Sequence, residues 1–147
     1  RNLLIFIIGT NDVHRVGADE TVRRVAYTIE SIRYFYPGIH IVWQMLQRRT
    51  RKTWLLPEGE SVLNEISRCN VRLTQLAAQM NFDTIQPDIP INYMYDGLHP
   101  SAYGVNMMEE TIRHYLRTNK VICSSFSTVP SFSSTIVSPP PLMSINL

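Results

Sequence analysis

Leu3-Leu4-Ile5-Phe6-Ile7-Ile8-Gly9-Thr10-Asn11-Asp12 is the stretch on which the fold turns. Apolar residues in unbroken succession, with no alternation, are the pattern of a strand buried on both faces, as in a parallel sheet lying between layers of helices. Gly9-Thr10-Asn11-Asp12 then reads as the turn that ends it. The run follows Arg1 almost directly, and a domain seldom starts on an interior strand, so the sequence reads as the downstream part of a larger fold. No small-residue cleavage site follows the run, which argues against a signal peptide. It is also far shorter than the roughly 20 apolar residues that span a bilayer.

Outward from this strand, Val22, Val25, Ala26, Ile29 and Ile32 recur at helical spacing between Asp19 and Tyr36, and Pro37-Gly38 supplies a stop. Ile39 to Leu46, centred on Ile41-Val42-Trp43, is a second strand. Gln47 to Glu60 follows as a loop. Ser61 to Met80 forms a second helix through Val62, Leu63, Ile66, Leu73, Leu76, Ala77 and Met80, with Ser61 as its cap. Phe82 to Gln86 is a brief third strand, and Pro100 to Arg117 a last helix carrying Val105, Met108, Ile112 and Leu116. The alternation β-α-β-α-β-α predicts parallel strands, right-handed crossovers and helices on both faces: a doubly wound α/β sheet of three layers, lacking its N-terminal strands.

The chain has 147 residues, enough for one domain. Residues 1–118 carry it, and 119–147 read as a Ser/Pro-rich disordered tail. From Ser124 onward there are eight serines, four prolines and no charge, including Pro139-Pro140-Pro141, and no periodicity. Fourteen basic residues against 12 acids give a net charge of +2, which supplies no general footprint for nucleic acid. Cys69 and Cys123 stand far apart, which excludes a disulfide scaffold and points to a reducing, cytoplasmic setting.

In a doubly wound sheet the chemistry sits at the carboxyl ends of the strands. Two clusters fall there, Gly9-Thr10-Asn11-Asp12 and Asp96-Gly97-Leu98-His99-Pro100. An Asp three residues before a His can set its carboxylate against one imidazole nitrogen and leave the other facing a cleft. Pro100 suits the first turn of the following helix. Asn11 offers an amide to charge developing on a substrate oxygen, Gly9 allows close approach, and Asp12 braces the loop or accepts from its amides. Each cluster alone is also a common turn.

Together, these motifs resemble those of the SGNH or GDSL-type ester hydrolases. Gly9-Thr10-Asn11-Asp12 is similar to the block whose Asn is an oxyanion donor, and Asp96-Gly97-Leu98-His99-Pro100 to the block whose Asp and His belong to the catalytic triad. Order and separation match, over Leu3 to about Arg117. The resemblance implies acyl or acetyl ester hydrolysis, with His99, Asp96 and Asn11 in those roles and a small ester as substrate. The family's nucleophilic Ser lies in a Gly-Asp-Ser motif near the start of the domain, and no Gly-Asp-Ser occurs in this chain. A non-catalytic pseudo-hydrolase or binding module is the rival expectation.

Arg48-Arg49-Thr50-Arg51-Lys52 reads as a solvated loop, or else as a phosphate-binding patch for an anionic substrate or for nucleic acid, through which such a module would touch it. Trp54-Leu55-Leu56 lines an acyl pocket or folds back on the core. His14 lies close enough behind Asn11 to reach the cleft but, like His40 and His114, is given no role. No metal-ligand spacing, G-x-G-x-x-G or P-loop is present, so no cofactor is expected. Leu3 to Ile8, missing one strand neighbour, is expected to self-associate or to bind an upstream fragment.

Overall fold

A computed structural model describes residues 2–49, 62–97 and 99–119. Three parallel strands, β1 (Leu3–Phe6), β2 (His40–Gln44) and β3 (Asp83–Ile85), form one sheet in that order. Leu3 pairs with His40 and Phe6 with Trp43, while Val42 pairs with Asp83 and Gln44 with Ile85. Between them run α1 (Thr10–Phe35) and α2 (Val62–Met80), and α3 (Ala102–Thr118) follows β3. The alternation expected from the sequence is therefore the one observed, as a partial doubly wound sheet.

Alternation along β2 divides the layers. Ile41 and Trp43 join Val13, Val22, Val25 and Ile29 of α1 and Ile66, Cys69 and Leu73 of α2 in the main core. His40, Val42 and Gln44 face the other way, where the His40 imidazole meets Tyr115 of α3. So α1 and α2 cover one face of the sheet and α3 the other. Burial of apolar area at roughly 25 cal/mol per Å² is the main favourable term holding these layers together. The Cys69 thiol, within this core, is pushed up to about 12 by burial and by Glu65.

Several expectations need correction. The first strand is not buried on both faces over Leu3 to Ile8: it ends at Phe6, all four of its residues are half-buried, and Ile7 and Ile8 are exposed. The reason is position. Among the described residues β1 pairs only with β2, so it forms an edge with incomplete cover. The first helix starts at Thr10 rather than Asp19, which makes Asn11 and Asp12 part of a helical turn, not a loop. Pro100 lies outside α3 and bridges to Met94, because Ser101 caps that helix by accepting from the Gly104 amide. The expected cap Ser61, the Trp54-Leu55-Leu56 stretch and the Ser/Pro-rich tail beyond Asn119 lie outside the described residues.

The helix α1 breaks at Gly17, whose φ of 81° is left-handed, and a buried carboxylate repairs the break. Glu65 of α2 accepts a hydrogen bond from the Ala18 amide at 2.8 Å, so a side chain from another helix caps the second half of α1. That contact fixes the angle at which the short first segment, with Asn11 on it, leaves the core. No helix of the described residues is long and apolar enough to cross a membrane.

Candidate active site

The segment after β3 is built to hold an acid against an imidazole. Met94 and Pro100 bridge antiparallel, the Tyr95 amide donates to the His99 carbonyl at 2.9 Å, and the Gly97 amide donates to the Met94 carbonyl at 3.2 Å. Gly97 closes this small loop at φ 77°, a conformation that a side chain resists. Inside it, one Asp96 oxygen accepts from the His99 backbone amide at 2.7 Å, and the other lies 2.6 Å from His99 Nδ1. The carboxylate thus holds both the backbone and the ring of the same histidine. Tyr95 stacks on the imidazole at 5.9 Å between centroids, which limits the ring's rotation.

Which ring nitrogen is used matters chemically. Nδ1 is committed to Asp96, which leaves Nε2 as the nitrogen that can take a proton, on a side chain 60% exposed. An acid that fixes the tautomer and steadies the imidazolium is the orienting half of a nucleophilic triad.

Asn11 sits at the carboxyl end of β1, exposed on the first turn of α1. Gly9 caps that turn with φ 115°, and its carbonyl accepts from the Val13 amide at 3.0 Å. The need for glycine there is conformational. A Cβ would also stand 3.4 Å from Leu46 Cδ2. Asp12 braces the segment by another route than the loop amides: it pairs with Arg24 across the break, at 3.0 Å.

Asp96 and His99 are brought together, whereas no hydrogen bond joins Asn11 to either among the described residues. What links the two clusters is a cleft of about 170 Å³ at the strand ends, walled by Thr10, beside Asn11, and by Pro100, beside His99. Arg49, just past β2, lines it too and feels the Asp96 carboxylate. His14, read as a residue without a role, is buried nearby, and burial together with Arg49 pulls its pKa below the ordinary histidine value.

The sequence reading missed two contributors. Arg49 belongs to a run that reads as solvated or as an anion patch, and among the described residues of that run Arg48 is exposed and Arg49 half-buried. Gln44 carries no signal beyond its place at the end of a strand. Glu65 acts on a residue 47 positions away, which no local pattern encodes. No cluster of three potential metal ligands occurs among the described residues.

No family model matches the chain, and no curated protein matches its sequence. Solved structures do match in shape. A GDSL-like lipase from Bacteroides thetaiotaomicron superposes with a TM-score of 0.64 at 22% identity, covering 80% of this chain and 62% of its own. A proposed acylhydrolase from Bacteroides fragilis gives 0.66 at 20% identity with the same coverage. The fold is that of the GDSL-type hydrolases. A carbohydrate esterase of family 3 from Talaromyces cellulolyticus agrees, at 0.63 and 17% identity, covering 82% of this chain and 60% of that one. The chain therefore spans less than two thirds of the length of these GDSL-type structures. Within that fold, Asp96, His99 and Asn11 lie at the end of the sheet where doubly wound proteins place their ligands.

Proposed function

We propose that this chain supplies the acid–base and oxyanion part of a Ser-dependent GDSL-type ester hydrolase acting on an acyl or acetyl ester, the nucleophile being carried by a Gly-Asp-Ser segment outside it. The observation that carries this reading is the 2.6 Å contact between Asp96 and His99 Nδ1 at the strand ends. In the mechanism, the Ser hydroxyl attacks the ester carbonyl and His99 Nε2 takes its proton. Asp96 stabilises the imidazolium, and the Asn11 amide donates to the tetrahedral oxyanion, a contact worth about 3 kcal/mol. His99 then returns the proton to the departing alkoxide. Water repeats the sequence on the acyl-enzyme and frees the acid.

The missing strand would pair with β1, whose outer edge has no partner among the described residues. Without it, an edge of Leu and Ile pairs with other copies of the chain.

A second reading, a non-catalytic module of the same fold, is favoured by the serines. Ser101 is occupied as a cap, Ser31 and Ser67 lie inside helices, and no hydroxyl is hydrogen-bonded to His99 among the described residues. Such a module would reach nucleic acid through the Arg48 to Lys52 run, of which Thr50 to Lys52 lie outside the described residues.

Co-expression with a strand-plus-Gly-Asp-Ser segment separates these readings. The chain alone is expected to sediment as an associated species and to turn over p-nitrophenyl acetate at background. The pair is expected to form a one-to-one complex whose hydrolysis is abolished by His99→Ala. Activity of the isolated chain that disappears in His99→Ala would place the nucleophile within it and overturn the proposal. A one-to-one complex without hydrolysis would leave the non-catalytic reading standing.

A further inference from the structure

The cleft between the two clusters is lined by residues with polar atoms that have no hydrogen-bond partner among the described residues. Gln44 is 4% exposed, yet its Oε1 has no hydrogen-bond partner among the described residues, and the same holds for Gln47 Nε2 and Arg49 Nε. All three residues line the 170 Å³ cleft. An orphaned buried polar group is destabilising, so three on one cleft call for an explanation.

Their chemistry is specific. Arg49 Nε and Gln47 Nε2 are donors, one of them cationic, and Gln44 Oε1 is an acceptor. Two donors suit the paired oxygens of a carboxylate. The acceptor would repel a sulfate, which offers only lone pairs, and it demands a hydroxyl or an N–H. Arg49 forms no salt bridge among the described residues. Burial lowers its pKa and Asp96 raises it, but a guanidinium stays charged under either influence. The Asp96 oxygens are already engaged by His99. Ile7, Ile8, Met94 and Met108 supply apolar walls for a short carbon chain. A dry cavity of about 150 Å³ holds benzene, so a group of roughly six or seven heavy atoms fits.

We propose that this cleft is a subsite for a short hydroxy-carboxylate group, whose carboxylate lies against Gln47 and Arg49 and whose hydroxyl donates to Gln44. The proposal extends the hydrolase reading by naming its substrate class, an ester one half of which bears a free carboxylate and a nearby hydroxyl. Binding itself does not depend on that reading.

The test is ligand-observed saturation-transfer NMR on the full chain, which tolerates association, with 3-hydroxybutyrate as probe. Butyrate and 3-hydroxybutyramide serve as direct comparisons, and sulfate, which has no proton to observe, as a competitor of 3-hydroxybutyrate. Expected are saturable 3-hydroxybutyrate binding, at least fivefold weaker binding of butyrate, and at least tenfold weaker binding of the neutral amide and of sulfate read by competition. Arg49→Gln should erase the preference for carboxylate over amide, Arg49→Lys should keep part of it, and Gln44→Met should erase the preference for the hydroxyl. His99→Ala should leave all of these affinities unchanged. Equal binding of acid and amide, sulfate competing as tightly as the acid binds, or an Arg49→Gln variant that keeps the preference would overturn the proposal. So would loss of binding in His99→Ala, which would put the anion on the imidazole. Hydrolysis failing in the reconstituted complex while these preferences persist would sink the hydrolase reading alone.

Discussion

Two Asp–His pairs stand at opposite ends of this sheet, and they do different things. At the carboxyl end, Asp96 holds His99 through Nδ1 within one small loop. At the amino end, Asp83 of β3 lies 3.0 Å from His40 Nε2, and the same carboxylate oxygen also accepts from the Tyr115 hydroxyl of α3. Tyr115 in turn reaches His40 Nε2 at 2.7 Å. This second cluster ties β2, β3 and α3 together, so its outer nitrogen is spent on structure. Burial and the Asp83 carboxylate both push the Tyr115 phenol above its ordinary range, which keeps it a donor. An Asp–His contact is thus no sign of catalysis by itself. What distinguishes the carboxyl-end pair is that the outer nitrogen, Nε2, is the one left over, and that a cleft lies beside it.

The largest expected effect breaks the contrast in function. In the reconstituted complex, Asp96→Asn is expected to lower kcat by about 10³- to 10⁴-fold, because an amide leaves the wrong imidazole nitrogen protonated. Asp83→Asn should leave kcat within about twofold. Steady-state assays of the two variants check this, and equal losses would erase the distinction between the pairs.

A smaller effect sharpens the contrast in stability. Tyr115→Phe removes a hydroxyl shared by His40 and Asp83 and should destabilise the chain by about 0.5–1.5 kcal/mol in urea titration. The cluster is partly exposed, and solvent screening keeps the figure at the lower end of that range. His99→Ala, at an exposed site, should change stability by less than about 0.5 kcal/mol.

The smallest effect concerns a third imidazole, His14, which is neither paired nor exposed. Its pKa is lowered in the folded chain from 6.5, by burial first and by Arg49 second. The unfolded chain therefore binds the extra proton more readily, so stability is fully present above pH 6.5 and is lost as pH falls below it toward the depressed folded value. His14→Gln should flatten that limb of a stability-against-pH profile. An unchanged limb would assign it to other groups.

Much of the fold was legible because it rests on local patterns. The helical spacing of Val22, Val25 and Ile29, the β-rich core of Ile41-Val42-Trp43 and the stop at Pro37-Gly38 each act over a few residues. Helix boundaries were less legible. Thr10 to Val16 joined α1 because Gly9 turns the chain and Glu65 rescues the amide at the break, and neither effect shows in the apolar periodicity.

The Asp96–His99 pair was legible for the same reason as the helices: three residues separate its members, and a glycine between them allows the turn. The sequence by itself therefore determined the order of elements, the parallel α/β class and this one local contact, since periodicity and turn chemistry act within a few residues. Only the tertiary structure decided that β1 stops at Phe6, that Arg49 lines a cleft, and that the amino-end pair is structural. Those outcomes depend on which segments come to lie beside one another, and burial and unpaired polar atoms exist only once they do.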